Sequence, residues 1–387
     1  MWRHITSNAL TFLIVAVFLA GGVILWGQSE YEAAGPLDEQ ICLRVPSGAS
    51  MRGVSRDLER EGAVTNASIF RIGTDYADKA RLLKAGSWLI PQNASMAEIA
   101  DIVTRGGAST CGTEVVYRIG VTRSQIQVRE LDPATNRFVE KASFNPAEDE
   151  TPPEFTDVRE KSDTRYRVAI AEGVTSWQII QGLNAVDVLQ GDVAEIPPEG
   201  SLAPDSYDVR VDGDRNAIVD QMRDAQDALL AAAWENRADD LPLENAYEAL
   251  ILASIIEKET GVAEERRQVS SVFVNRLNRG MRLQTDPTVI YGITEGQGVL
   301  GRGLRQSELR AETPWNTYVI DALPPTPIAN PGRASLAAAV DPDNTPYIFF
   351  VADGTGGHAF AETLDEHNDN VARWRQIEAE RAAEDNQ

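Results

Sequence analysis

Residues 245–260, NAYEALILASIIEKET, are the stretch that decides how this chain folds and where its chemistry lies. Apolar side chains recur there at helical spacing, which predicts a helix that ends at Gly261, a residue well suited to the position after a helix. One stripe of this helix consists of Leu252, Ile255, Ile256 and Glu259. Because Glu257 projects to nearly the opposite side, at most one of the two glutamates can face a given cleft.

The position of Glu259 suits a general acid. Burial on the apolar stripe and the partial negative charge at the C-terminal end of a helix both disfavour the carboxylate and raise its pKa. A carboxyl that keeps its proton can donate it to a leaving oxygen and then accept a proton from the attacking group. The alternative is a structural role, in which Glu259 pairs with Arg266 or Arg267.

The segments that follow indicate a mixed α+β domain over residues 237–375. Apolar periodicity predicts a second helix over residues 264–279, ended by Gly280. Residues 281–292, MRLQTDPTVIYG, alternate between apolar and polar types and predict an extended segment.

Three polar side chains of that extended segment are candidate sugar contacts. Gln284, Asp286 and Tyr291 offer an amide, a carboxylate and a phenol within a short space. Sugars are commonly bound by such planar polar groups beside an aromatic ring. The alternative is an ordinary turn at Asp286 with Tyr291 in the core.

The N-terminus carries the second strong signal. Residues 9–27, ALTFLIVAVFLAGGVILWG, have no charge and are long enough to cross a bilayer as one helix. A cleaved signal peptide is the rival, but no A-x-A site precedes the acidic stretch 30–32. Arg3 lies before the span and acidic residues follow it, which places residues 1–8 in the cytoplasm and the rest outside.

Composition excludes some classes of function. The net charge of −23 argues against binding nucleic acid through a basic face. With three histidines and two cysteines in 387 residues, we expect no metal and no cofactor. On the oxidising side of a membrane, Cys42 and Cys111 can form a disulfide worth about 3 to 4 kcal/mol, or remain two thiols.

The region before the helical stretch divides into small modules. Residues 28–41 are a polar linker, and residues 42–108 predict a strand, two helices, a strand and a closing helix. In detail, strands are predicted at 42–46 and 87–90, and helices from Ser50, near 69–84 and over 96–105. Residues 109–165 predict an inserted hairpin with a mobile acidic loop, 166–236 a second module, and 376–387 a charged tail.

A weak internal repeat supports this division. Gly48, Ser50, Val54 and Leu58 are matched at identical spacing by Gly173, Thr175, Ile179 and Leu183. Each copy is predicted to begin a helix after a strand. A small strand–helix module of this kind resembles the LysM-like domain, whose usual ligand is a glycan that contains N-acetylglucosamine. The alternative is a packing or dimerisation module without sugar affinity.

Several motifs together resemble the MltG/YceG family of endolytic murein transglycosylases. They are ASIIEKET (253–260), VFVNRLNRGMRLQTDPTVIYG (272–292), TPWNTY (313–318), LPPTPIANPG (323–332) and PYIFFVADGTGGHAF (346–360). The likeness covers essentially the whole chain and is strongest from residue 253 onward. It implies a membrane-anchored α+β enzyme of the inner membrane, with LysM-like modules and its C-terminal domain in the periplasm.

The resemblance also implies a reaction and a site. The second glutamate of the EKET motif, Glu259, would cleave between N-acetylmuramic acid and N-acetylglucosamine and leave a 1,6-anhydro end. Substrate contacts are predicted at Asn275, Gln284, Asp286, Tyr291 and Asn316. Glycan strands are the implied substrate, and cell-wall synthases are candidate partners. Two alternatives stay open: a glycan-binding scaffold protein without activity, and a hydrolytic muramidase in which Asp286 supplies a second carboxylate.

Overall fold

The computed structural model describes residues 2–107, 109–159, 161 and 163–384. Four predicted segments therefore include positions outside the described residues. These positions are Met1 in the N-terminal segment, residue 108 in the module 42–108, residues 160 and 162 in the insertion, and residues 385–387 in the C-terminal tail. The helices are α1 (Trp2–Glu32), α2 (Met51–Arg60), α3 (Ala67–Tyr76), α4 (Met96–Arg105), α5 (Pro153–Arg159), α6 (Ser176–Asn184), α7 (Arg215–Glu235), α8 (Ala246–Glu259), α9 (Arg266–Asn278), α10 (Asp286–Thr294), α11 (Gln306–Leu309), α12 (Arg333–Val340) and α13 (Leu364–Glu384). The strands are β1 (Ile41–Val45), β2 (Gly86–Ile90), β3 (Thr113–Ile119), β4 (Ser124–Asp132), β5 (Arg137–Phe144), β6 (Arg165–Ile170), β7 (Leu189–Gln190), β8 (Ser206–Val209), β9 (Gly213–Asp214), β10 (Phe349–Ala352) and β11 (His358–Ala361).

The fold is mixed α+β, as predicted, and it divides into two compact units. The first unit runs to Val116 and resumes over Gln127–Tyr166. The second takes Tyr117–Ile126 and continues from Arg167 onward. A five-stranded sheet has the strand order β5-β4-β3-β6-β8, and the remaining strands form two-stranded pairs.

Helix α1 contains the apolar N-terminal stretch. Within its segment Thr11–Glu32, a window of 18 residues has a mean hydropathy of 2.0, so the segment is long and apolar enough to cross a membrane. The predicted linker at 28–41 starts as helix, because α1 continues to Glu32 and contacts α3. Thr65 donates its hydroxyl hydrogen to Glu30 at 2.6 Å, and the ring of Tyr31 occupies the space that a Cβ at Gly73 would need.

The predicted strand, two helices, strand and closing helix are confirmed in the first unit. Strands β1 and β2 are antiparallel and pair Ile41 with Ile90 and Val45 with Gly86. Ser50 caps α2 by accepting from the Gly53 amide. The predicted helix near 69–84 is shorter, however, and ends at Tyr76. Asp78 adopts a φ of 56°, a left-handed conformation that a helix cannot continue through.

The two cysteines, which the sequence left open, form a disulfide in the first unit. Cys42 and Cys111 are joined and lie 69 residues apart in sequence. The bridge links β1 to the segment that leads into β3. In the loop-entropy view it restricts the unfolded chain and therefore stabilises the folded unit.

The predicted hairpin and mobile loop are more ordered than the sequence suggested. The insertion supplies the three strands β3, β4 and β5, and its acidic stretch contains helix α5. Pro153 begins that helix, where a missing amide hydrogen has no cost. Phe155 packs against Phe144 with ring centroids 5.3 Å apart, so apolar burial holds the segment in place.

Both copies of the internal repeat have the predicted local structure. Gly48 and Gly173 each adopt a φ of 78°, and Ser50 and Thr175 are the N-caps of α2 and α6. The matched apolar residues Val54, Leu58, Ile179 and Leu183 are buried. The repeat is therefore a shared way of starting a helix after a strand.

Helix α8 is the centre of the second unit. Asn245 caps it by accepting from the Glu248 amide, and α7, α9, α10 and α12 contact it. Residues 249–256 are buried throughout, with Leu252 and Ile255 fully so. The sequence predicted that α8 ends at Gly261, but the helix ends at Glu259. Thr260 is extended, and its hydroxyl accepts from the Val262 amide at 3.0 Å.

The prediction of an extended segment over 281–292 is wrong for its second half. Residues 281–285 are non-helical, but α10 begins at Asp286. An acidic residue and Pro287 in the first turn favour a helix start. The alternation of apolar and polar residues that predicted an extended segment stops at Asp286, where these signals for a helix start begin.

Candidate active site

Glu259 is the last residue of α8 and lies beside a cleft. Its side chain is partly buried, and the cleft has a volume of about 250 Å³. The cleft is lined by Glu259, Thr260, Gly261, Ala352, Gly354, Gly356, Gly357, His358, Trp374 and Arg381. A larger cavity of about 510 Å³, between α7 and α12, contains none of the predicted site residues.

Thr285 is the hydrogen-bond partner of the Glu259 carboxyl, and its hydroxyl donates to Oε1. Thr285 is itself fixed by a buried threonine cluster. Its backbone amide donates to the hydroxyl of Thr317 at 3.0 Å, and its carbonyl accepts from the hydroxyl of Thr288 at 2.8 Å. The hydroxyls of Thr288 and Thr317 are 2.8 Å apart. Helix α8, the N-terminal end of α10 and the segment around Thr317 meet at this cluster, and together they set the position of the carboxyl.

The electrostatic surroundings of Glu259 favour its protonated form. Burial raises the pKa of Glu259, the Thr285 hydrogen bond lowers it, and the negative charge of Asp286 raises it further. The positive charge of Arg276 acts in the opposite direction and is weaker, and His358 acts in the same way only when its ring is protonated. The net pKa is raised, as the helical position predicted.

The alternative ion pair with Arg266 or Arg267 is not formed. Arg267 pairs with Asp341 at 2.6 Å and with Asp343 at 2.8 Å. Within the part of the chain that the structure describes, no salt bridge of Glu259 with any lysine or arginine is present. Glu257, the other glutamate of the motif, accepts from the Gly332 amide at 3.0 Å, away from the Glu259 carboxyl.

Two of the predicted contact residues, Gln284 and Asp286, are exposed, and Asp286 lies close enough to Glu259 for its charge to act on that carboxyl. The Asp286 carboxylate accepts from the hydroxyl of Tyr318 at 2.7 Å. Gln284 adopts a φ of 49°, and its backbone amide donates to the carbonyl of Thr317. Both side chains are exposed to solvent, and neither residue is among those that line the cleft beside Glu259.

The other three predicted contact residues are used inside the protein. The Asn275 amide donates to the carbonyls of Thr345 and Tyr347 at 2.7 and 2.9 Å. Asn316 is fully buried and donates to three backbone carbonyls of the 308–311 segment. Tyr291 donates to Glu199 at 3.3 Å and packs on Trp315, so it belongs to a different polar cluster.

Sequence reasoning missed the residues that hold the site together. Arg276 is nearly buried and donates to the carbonyls of Ile348 and Leu283 at 2.7 and 2.6 Å. It therefore ties the segment before Thr285 to the segment that enters β10. Thr285 and Tyr318 belong to the QTDP and WNTY motifs, so their place beside Asp286 and Asn316 in those motifs was the available signal.

Comparison with known proteins identifies the family of the chain. The sequence model of the YceG-like family matches residues 129–373, which is more than half of the chain and includes Glu259 and its neighbours. The chain belongs to the YceG-like family.

Two relatives of this YceG-like chain share a name. A protein of Bacillus subtilis named endolytic murein transglycosylase is 26% identical over 359 residues, which cover 90% of this chain and 89% of that protein. One of the same name from Streptococcus pneumoniae is 24% identical over 95% of this chain, which spans 65% of the pneumococcal protein. A crystal structure of a putative YceG-like protein from Listeria monocytogenes has 24% identity and a TM-score of 0.45, and covers 86% of this chain and 98% of that one.

Proposed function

We propose that this chain is an endolytic murein transglycosylase, which cleaves the β-1,4 bond between N-acetylmuramic acid and N-acetylglucosamine within glycan strands. The relatives that share this name are similar to the chain over nine-tenths or more of its length. The observation that carries the proposal is the Glu259 carboxyl, held at the end of α8 beside an open cleft with a raised pKa. A scaffold protein has no need of such a group.

In the proposed reaction, Glu259 acts first as acid and then as base. Its carboxyl gives a proton to the bridging oxygen as the glycosidic bond breaks, which produces a carboxylate and a neutral leaving sugar. The acetamido carbonyl of the muramic acid assists at the anomeric carbon. The carboxylate then takes the proton of the C6 hydroxyl while that oxygen bonds to the anomeric carbon, so Glu259 regains its proton and no water is consumed.

The neighbours of Glu259 serve the two halves of this cycle. The negative charge of Asp286 raises the pKa of Glu259 and so supports the acid step. The hydroxyl of Thr285 donates to the carboxylate and supports the base step. Since Asp286 also accepts from Tyr318, its carboxylate is oriented independently of Glu259.

We further propose that α1 is a single-pass anchor of the inner membrane, with residues 1–8 in the cytoplasm and the rest in the periplasm. The apolar stretch in α1 supports the anchor, and the charge distribution around it supports the orientation. An enzyme held in this way meets strands as they emerge at the membrane and limits their length. Cell-wall synthases are the predicted partners there.

The module over residues 42–108 is proposed to be LysM-like and to bind glycan. Its support is the strand, two helices and strand of β1, α2, α3 and β2. The predicted domain boundaries at 108, 165, 236 and 375 belong to this proposal.

The test is digestion of purified, uncrosslinked peptidoglycan by the full chain in detergent micelles. Mass spectrometry of the products distinguishes anhydro ends from reducing ends. We expect anhydro ends from the wild type, a loss of about a hundredfold to ten-thousandfold for Glu259→Gln, and near-normal activity for Glu257→Gln. The Glu257 variant is a matched control, since its amide oxygen can still accept from Gly332.

Three results would overturn the proposal. Reducing ends from the wild type would identify a hydrolytic muramidase, and unchanged glycan would leave only binding or scaffolding. Equal activity of the Glu259→Gln variant and the wild type would remove the role of the carboxyl.

A further inference from the structure

His358 shares the cleft with Glu259 and is held in a defined orientation. It is the first residue of β11, and its backbone amide donates to Oε1 of Glu265 at 2.9 Å. Oε2 of the same carboxylate lies 2.8 Å from Nδ1 of the imidazole ring. The ring also packs edge-to-face on Phe350, with centroids 5.2 Å apart.

Gly357 leaves room for this arrangement. A Cβ at position 357 would collide with Oε1 of Glu265, the oxygen that accepts from the His358 amide. Any larger residue there would push the carboxylate away from the ring. The glycine, the carboxylate and the imidazole therefore depend on one another.

The hydrogen-bond pattern fixes the tautomer of the ring. Because a carboxylate only accepts, Nδ1 must carry the hydrogen that points to Oε2, and Nε2 of the neutral ring is then an acceptor. Nε2 has no hydrogen-bond partner among the residues that the structure describes, and it is not one of their buried unpaired atoms. The acceptor is therefore not fully buried, and it belongs to a residue that lines the cleft.

The chemistry of the cleft fits a sugar. A half-buried Trp374 offers an apolar face, and the open acceptor of His358 matches a hydroxyl group, which is the donor that a glycan presents most often. Glu259, Thr260 and Arg381 are the other polar side chains among the residues that line it.

We propose that His358 binds the glycan by accepting a hydrogen bond from a sugar hydroxyl at Nε2, and that Glu265 is the positioning residue that keeps Nε2 an acceptor. This inference rests on the proposed function, because it names a contact of the same substrate. It assigns no proton transfer to His358.

The test is Glu265→Gln in the full chain. The one oxygen of the glutamine accepts from the His358 amide, which leaves its NH₂ group facing Nδ1. Nδ1 must then become the acceptor, and the hydrogen moves to Nε2, where it meets the hydroxyl hydrogen of the sugar. Nitrogen NMR of chains labelled only at histidine reports this change directly, since the chain has 3 histidines.

Binding is measured in the Glu259→Gln background, which removes turnover, with purified uncrosslinked glycan strands as the probe. We expect Glu265→Gln to raise Kd by about fivefold to tenfold, the effect of one hydrogen bond. Gly357→Ala, which displaces the carboxylate without removing it, should raise Kd in the same direction. Glu264→Gln is the matched control, because Glu264 is an exposed carboxylate of the neighbouring position and should leave Kd within about twofold.

Two outcomes overturn the proposal. If the hydrogen moves to Nε2 in Glu265→Gln and Kd matches that of the control, His358 does not bind the sugar. If the hydrogen stays on Nδ1, Glu265 does not set the tautomer. Absence of cleavage by the wild type contradicts the proposed function instead, and the binding comparison still decides the role of His358.

Discussion

Thr285 donates its hydroxyl hydrogen to Oε1 of Glu259, although the two residues lie 26 positions apart. This bond works against the burial that raises the pKa of Glu259. The carboxyl is thus balanced between the protonated form that starts the proposed reaction and the ionised form that completes it. Single substitutions of neighbouring residues can therefore raise or lower the pKa of Glu259.

Replacing Thr285 with valine should move the alkaline limb of the activity profile to higher pH. The hydroxyl favours the carboxylate, so its loss raises the pKa of Glu259 and preserves the acid at higher pH. Below the limb, kcat should fall about tenfold because the carboxyl is no longer held in place. Rates of anhydro-end formation across pH provide the measurement. An unchanged limb would mean that the bond does not act on the titrating group.

Replacing Asp286 with asparagine should have the opposite effect. Its negative charge raises the pKa of Glu259, so the neutral amide lowers that pKa and moves the alkaline limb to lower pH. The same pH series measures it. If activity vanished at every pH instead, Asp286 would be a second catalytic carboxylate, and the hydrolytic mechanism would regain support.

Glu259→Gln should stabilise the protein at alkaline pH. Because the folded protein holds the Glu259 proton more tightly than the unfolded chain, this group favours folding below its ordinary pKa of 4.5. That contribution is lost as the pH rises through the raised folded value. The glutamine carries no charge, so the Tm of the variant should exceed that of the wild type at pH 8, and the gap should shrink near pH 4.

Tryptophan fluorescence during heating of the full chain in detergent gives these Tm values. Glu264→Gln, a change at an exposed carboxylate, serves as the control and should show no such gap. A gap that is constant across pH would indicate a packing effect unrelated to ionisation.

The double variant Cys42→Ser, Cys111→Ser should destabilise the first unit by about 4 kcal/mol, the loop-entropy value for its ring size. Denaturant unfolding of the full chain compares it with the wild type under oxidising and reducing conditions. Reduction should lower the stability of the wild type and leave the variant unchanged. Equal stability of both proteins under oxidising conditions would contradict a structural role for the bridge.

Sequence alone located the features that depend on neighbours along the chain. The apolar length of residues 9–27, the caps Ser50 and Thr175, and the helical phase of Glu259 each follow from local rules. The prediction of Glu259 as the reactive carboxyl stays a prediction. The predicted direction of its pKa shift is confirmed, but burial is the largest cause and the charge of Asp286 adds to it, whereas the sequence argument relied on burial and helix position.

The partners of Glu259 could not be found in this way, because they reach it through the tertiary fold. Thr285, Arg276 and His358 come from three different elements, and no periodicity connects them to α8. The roles of the two asparagines could not be predicted for a different reason. Asn275 and Asn316 have the donors and acceptors that bind sugars, but the same groups bind backbone carbonyls, and the sequence does not distinguish the two uses.

The most direct test of the central claim determines which oxygen atom bonds to the anomeric carbon. The full chain digests uncrosslinked glycan strands in water enriched in the heavy oxygen isotope, and mass spectrometry reads the new ends. If Glu259 directs the C6 hydroxyl to the anomeric carbon, the new ends contain no heavy oxygen and are lighter than reducing ends by one water. New ends that each carry one heavy oxygen atom would show that water attacked, and would contradict the account.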